Sequence, residues 1–153
     1  MAMLFHEKGD CEKALDYYEK ALTSRERVLG PWHPDTIATF NKIAMVYGDM
    51  GENDKALNYC EKARVICEKE LGMEHLSTAT TYNNIAWLYR LQGDYGKALE
   101  YYQIANQVLL SVFGMNHPLT QDTVQNIQIM GILLEKDLTE DEFAEMLKKS
   151  TPE

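Results

Sequence analysis

The stretch Gly93-Asp94-Tyr95-Gly96-Lys97-Ala98-Leu99 decides the fold, because its landmarks occur three times at a spacing of 42 residues. Each copy has a glycine, an acidic residue and then Lys-Ala-Leu; the earlier copies are Gly9-Asp10 with Lys13-Ala14-Leu15 and Gly51-Glu52 with Lys55-Ala56-Leu57. A second landmark has the same period and pairs a glycine with a histidine, at Gly30/His33, Gly72/His75 and Gly114/His117. Such a fixed period predicts an architecture of stacked repeats.

The apolar residues between these landmarks have helical spacing. One copy contains Ile37, Phe40, Ile43, Ala44 and Tyr47, and the equivalent residues follow 42 positions later. Steps of three and one keep the side chains on one face of a helix. A second stripe starts after each glycine–acid corner, so each repeat is predicted to hold two helices, the second one longer. No run of short alternating strands supports a propeller blade, the other architecture considered for this period.

Residues at the corners suit the ends of helices. Gly93 can adopt the left-handed backbone that terminates a helix, and Asp94 can cap the start of the next one. The glycines of the second landmark are expected to end the second helices in the same left-handed way. Pro34 and Pro118 can occupy the first turn of a helix, where the missing N–H costs nothing.

Paired helices with small alanines at their contacts resemble the tetratricopeptide repeat, whose usual length is 34 residues. The stretches Asn83-Asn84-Ile85-Ala86-Trp87-Leu88-Tyr89 and Leu29-Gly30-Pro31-Trp32-His33-Pro34-Asp35-Thr36 are similar to the 42-residue repeats of the kinesin light chain family. This resemblance implies an all-α, right-handed α-solenoid of antiparallel helix pairs. We expect one domain, 1–153, with repeats at about 1–30 (first helix truncated), 35–72, 77–114 and 119–135 (first helix only), and a capping helix at 139–149.

Two of the expectations for the last repeat are specific enough to be tested in the structure. Leu134 is predicted to point inward from the final first helix. Thr139 and Glu142 form the pattern of a capping box, and Phe143, Met146 and Leu147 are predicted to cover the last repeat. The final repeat departs from the family pattern at Gln128 and Gly131, where alanine and tyrosine are expected.

Charge and composition exclude several classes of partner. The 153 residues include 24 acidic and 15 basic side chains, a net charge of −9, which disfavours nucleic acids and anionic membranes. No secretory signal pattern and no apolar run long enough to span a bilayer is present. We therefore expect a cytoplasmic protein, with Cys11, Cys60 and Cys67 as free thiols.

The first helices of a solenoid line its concave face, which such proteins use for binding. Rows of residues spaced by 42 positions are predicted there and form the candidate peptide-binding site: Asn41, Lys42, Met45, Asn83, Asn84, Trp87, Arg90, Gln125, Asn126 and Ile129. Amides offer donors and acceptors to a peptide backbone. The resemblance implies that Asn41, Asn83, Asn84 and Asn126 hold peptide cargo. The alternative is that Trp87 and Met45 only pack, and that the amides are solvated or join neighbouring repeats.

The sequence predicts an interaction module rather than an enzyme. The landmark histidines are too far apart to share a metal ion, and no phosphate-binding loop or nucleophile motif is present, so no cofactor or metal is expected. The first hypothesis is binding of a peptide or protein segment in the concave groove. The second is self-association as a scaffold or regulatory segment through the N-terminal edge around Met1, Leu4 and Phe5.

Overall fold

The computed structural model describes residues 1–150, and every regular element in that range is helical. The helices are α1 Ala2–Glu7, α2 Cys11–Val28, α3 Pro34–Asp49, α4 Asn53–Ile66, α5 Leu76–Leu91, α6 Tyr95–Phe113, α7 Pro118–Lys136 and α8 Glu140–Ser150. A π-helical segment, Cys67–Leu71, extends α4. Consecutive helices from α1 to α7 pack against each other, and α3 also packs on α5. The predicted all-α solenoid of helix pairs is therefore confirmed.

The corners between helices follow from local chemistry. Asp94 accepts a hydrogen bond from the backbone N–H of Lys97 at 3.1 Å, and Asp10 caps α2 in the same way. Gly93 has φ +76°, the left-handed backbone predicted for it. The prediction for Gly72 was wrong in part, because its φ of 80° comes with a ψ of 175°. That extended conformation at positive φ is essentially open to glycine alone.

The core repeats with the sequence. Ala14, Ala56 and Ala98 are fully buried where helices cross, and small side chains there allow close approach. Tyr47 stacks on Tyr59 with ring centroids 5.7 Å apart, and the equivalent pair 42 residues later stacks at 5.5 Å. A lysine from the Lys-Ala-Leu landmark lies over the first ring of each pair, at 5.5 Å and 5.1 Å. Each repeat therefore contributes the same wedge of packed aromatic rings to the convex layer.

The three cysteines are free thiols, as the sequence predicts. Cys60 and Cys67 are fully buried, whereas Cys11 is half-buried. Burial raises the pKa of Cys60 to about 12, because the thiolate would lose its hydration. Cys60 is therefore a neutral packing residue at physiological pH.

The C-terminal end differs from expectation. Leu134 is exposed and Leu133 is buried instead, and Leu147 is 52% exposed, so the prediction that Leu147 covers the last repeat was wrong. The reason is that α8, among the described helices, does not pack along α7. Gly131 on α7 faces open space, which explains why a tyrosine is not needed there.

The start of α8 matches its sequence pattern. The capping box forms, since the Thr139 backbone N–H donates to Glu142 Oε2 at 2.8 Å and the Glu142 N–H donates to Thr139 Oγ1 at 3.3 Å. Leu138 and Phe143 pack against a buried cluster made by α5, α6 and α7, which consists of Ala86, Ala98, Tyr102, Met130 and Leu133. This docking places the beginning of α8 beside the end of α5.

Candidate concave binding site

Three histidines set the register of the helices that line the groove. The Nδ1 atoms of His33, His75 and His117 accept backbone N–H bonds at 3.1, 3.0 and 3.3 Å, from residues two positions later. Each ring thereby caps the N-terminus of α3, α5 or α7. The structural loop role predicted for these histidines is confirmed. Because all three helices begin alike, residues 42 positions apart form rows across the concave face.

One row of amides joins neighbouring repeats. Asn41 Nδ2 on α3 donates to Thr81 Oγ1 on α5 at 2.9 Å, and Asn83 Nδ2 on α5 donates to Thr123 Oγ1 on α7 at 2.9 Å. These threonines were not singled out from the sequence. Their signal was present, because Thr39, Thr81 and Thr123 are spaced by 42 residues. The two asparagines therefore have an inter-repeat bond whatever else they bind.

A cleft opens between α3 and α5 beside this row. Its volume is about 240 Å³, and it is lined by Ala38, Asn41, Lys42, Met45, Leu76, Ser77, Thr80 and Asn84. Asn41 is only 5% exposed, and its Oδ1 has no hydrogen-bond partner within the described chain. A buried acceptor without a partner costs free energy, and a donor entering the cleft would recover it.

Other cleft residues are accessible. Lys42 is exposed and has no carboxylate within 4.0 Å in the described part of the protein, while Asn84 is half-buried and makes no hydrogen bond there. Met45 is half-buried and supplies a flexible apolar wall. Gln125 is exposed on α7, with Ile129 half-buried one turn later. These residues can contact a ligand without first breaking a bond within the described chain.

Trp87 closes the other half of the α3–α5 interface. Its ring lies so close to Gly48 on α3 that a Cβ added there would meet Trp87 Cζ3 at 2.6 Å. The side chain is half-buried and packs on a core cluster that includes Ala44, Ile85 and Leu88. Trp87 therefore contributes to packing, and its remaining surface faces the solvent.

Arg90 and Asn126 are already engaged at the far end of the groove. Arg90 binds Glu140 of α8 through two bonds, Nε to Oε1 at 2.6 Å and Nη2 to Oε2 at 3.0 Å. Arg90 Nη1 also donates to Asn126 Oδ1 at 2.9 Å. The hydrogen bond with Glu140 raises the pKa of Arg90 above its ordinary value. The sequence placed both residues in the groove, but it did not identify this partner.

The site has the features of a binding surface and lacks those of a reaction centre. Within residues 1–150, no group of three metal-ligating side chains lies together. Rows of amides, an apolar cleft and a cation on the concave face of an α-solenoid define a helical-repeat protein. Such repeats present extended surfaces to other proteins.

The chain belongs to the tetratricopeptide repeat family, whose profile matches residues 1–59 and 35–105. Its fold is similar to the TPR-like repeats of a candidate kinesin light chain from Podosopora anserina, with a TM-score of 0.76 at 19% identity over 99% of this chain and 74% of that one. A point variant of that protein gives the same TM-score and identity and is covered to 73%.

A third similar structure is BtubC (BKLC) from P. vanneervenii, with a TM-score of 0.69 at 24% identity over 91% of this chain and 61% of that one. At these identities the likeness establishes the fold, which is of the kinesin-light-chain repeat type. No curated protein matches the sequence. None of the described helices is long and apolar enough to cross a bilayer.

Proposed function

We propose that this chain is a non-enzymatic module that binds an extended peptide segment of a partner protein in its concave groove. The observation that carries the proposal is the cleft between α3 and α5, where the buried Asn41 Oδ1 lacks a donor. A backbone N–H of a peptide supplies such a donor. We also propose a cytoplasmic location, on the sequence arguments given above.

The predicted site residues divide by their role in this proposal. Asn84 and Gln125 offer amides to the peptide backbone, and Lys42 offers a cation. Apolar contact comes from Met45, Trp87 and Ile129. Asn41 and Asn83 contribute their oxygen atoms while their NH₂ groups hold the neighbouring repeat.

Replacing Asn84 by alanine tests the groove. We expect peptides selected from a random display library on the wild-type protein to bind Asn84→Ala about tenfold more weakly, because one paired amide contributes roughly 1–1.5 kcal/mol. Fluorescence polarisation of the selected peptides measures the change. Asn58, exposed on α4 away from the groove, gives the control Asn58→Ala, which should bind unchanged. Selection of no peptide, or equal loss in both variants, would contradict the proposal.

A second candidate is self-association through the N-terminal edge. Met1 is 74% exposed, Met3 and Leu4 are exposed beside it, and Phe5 stacks on Tyr17 at 5.4 Å. These residues form an apolar patch on α1 and α2 in an otherwise acidic molecule. Exposed apolar patches of this kind mark interaction surfaces.

Replacing Leu4 by aspartate distinguishes the two candidates. If the edge mediates assembly, sedimentation velocity of the wild-type protein will show a concentration-dependent oligomer that Leu4→Asp reduces to a monomer. Peptide binding by the variant should remain unchanged. A wild-type protein that is monomeric at all concentrations would eliminate this candidate.

A further inference from the structure

Arg90 is a groove residue whose charge is satisfied by the chain itself. It lies one turn after Trp87 on the concave row, where the equivalent residue of the preceding repeat is Gly48. Glu140 presents both carboxylate oxygens to its guanidinium, and Asn126 accepts the remaining bond. This two-bond geometry is the arrangement that guanidinium groups favour for carboxylates. The end of the groove therefore contains a carboxylate-binding pair that is filled in cis.

The element that supplies Glu140 is lightly attached. Helix α8 has 11 residues and does not pack along α7. Its contacts are concentrated at its start, where Leu138 and Phe143 meet the core cluster and the Glu140 N–H donates to Tyr95 Oη at 3.2 Å. A helix of this length is marginal without tertiary contacts. Loss of the contacts at its start would release α8 while α1 to α7 keep their packing.

We propose that α8 is a latch: it opens as a unit, and the Arg90 guanidinium and Asn126 amide that it releases accept a carboxylate from an acidic peptide in the groove. This inference rests on the proposed function and adds regulation to it. Glu140 and an acidic residue of a ligand cannot occupy Arg90 together, so closure weakens ligand binding by the fraction of molecules that are closed. Acidic peptides should in turn favour the open state.

Hydrogen–deuterium exchange of the full chain tests whether α8 opens independently. In Glu140→Gln the charged pair is lost with little change of shape, and we expect amides of α8 to exchange about tenfold faster than in the wild type, since charge-assisted bonds of this kind are the stronger ones. The control is Asp141→Asn, which removes an equal charge from the same helical turn without touching Arg90. Exchange in α5 to α7 should be unchanged.

A synthetic, fluorescein-labelled peptide of residues 138–150 tests the released site in trans. It should bind Glu140→Gln about tenfold more tightly than the wild type, whose own α8 competes, and Arg90→Met/Glu140→Gln should lose this gain. Equal exchange of α8 in the wild type and Glu140→Gln, or faster exchange that extends through α5 to α7, overturns the latch. Equal binding of the labelled peptide to both proteins overturns the released site.

Neither measurement uses a groove ligand. Failure of the Asn84→Ala test therefore contradicts the proposed function alone, and failure here contradicts the latch alone.

Discussion

Replacing Gly48 by alanine should destabilise the protein by about 1–3 kcal/mol, although alanine is the better helix former. The added Cβ would lie 2.6 Å from Trp87 Cζ3 and 2.8 Å from Leu88 Cδ2. Leu88 is fully buried and the Trp87 ring is rigid, so α3 and α5 must separate to make room. Urea unfolding, followed by circular dichroism with the slope of the transition checked, measures the loss.

Gly131 provides a matched control in the middle of α7. A Cβ there would meet nothing within 4 Å, so Gly131→Ala should stabilise the protein by about 0.5–1 kcal/mol through helix propensity alone. The two substitutions are chemically identical and should have opposite signs. A Gly48→Ala protein as stable as Gly131→Ala would show that Trp87 does not hold α5 against α3.

The helices and their corners could be predicted because the forces that form them are local. Asp94 caps a backbone N–H three residues away, and the box of Thr139 and Glu142 closes over the same distance. The 42-residue period then extends each local result to the next repeat. Sequence reasoning did less well at Gly72, where the landmark indicated a positive φ but not the extended ψ.

The candidate site could be predicted only as a face. The period places Asn41 and Asn84 on the concave side, but it does not tell how closely the next helix approaches each of them. Asn41 is buried against Thr81, whereas Asn84 remains accessible in the cleft. That difference depends on the separation of α3 and α5, which is set by Trp87 and Gly48 together.

Arg90 shows a second limit of the sequence. Its partner, Glu140, is 50 residues away and lies outside the repeated segment. A periodic pattern carries information only about residues that recur, so the contact of a single C-terminal helix has no counterpart to reveal it. The departures at Gln128 and Gly131 did hint that the last first helix has no helix packed along it.

Replacing Thr81 by valine should cost about 1–3 kcal/mol, because it removes the hydroxyl that accepts the Asn41 NH₂ group. Asn41 Oδ1 already lacks a partner in the described chain, so the whole buried amide would be left unsatisfied. The equivalent change, Thr123→Val, should cost less, since Asn83 is half-buried and water can replace the lost bond. Urea unfolding of both variants measures the difference.

The double variant Asn41→Leu/Thr81→Val decides whether the cost comes from the orphaned amide. Replacing both partners by apolar groups should recover most of the stability lost in Thr81→Val, since no buried polar group is then left without a bond. If the double variant is instead less stable than Thr81→Val, the bond between α3 and α5 is itself what joins the repeats. If Thr81→Val has no effect, Asn41 must reach solvent through the cleft, and the case for a donor from a bound peptide loses its main support.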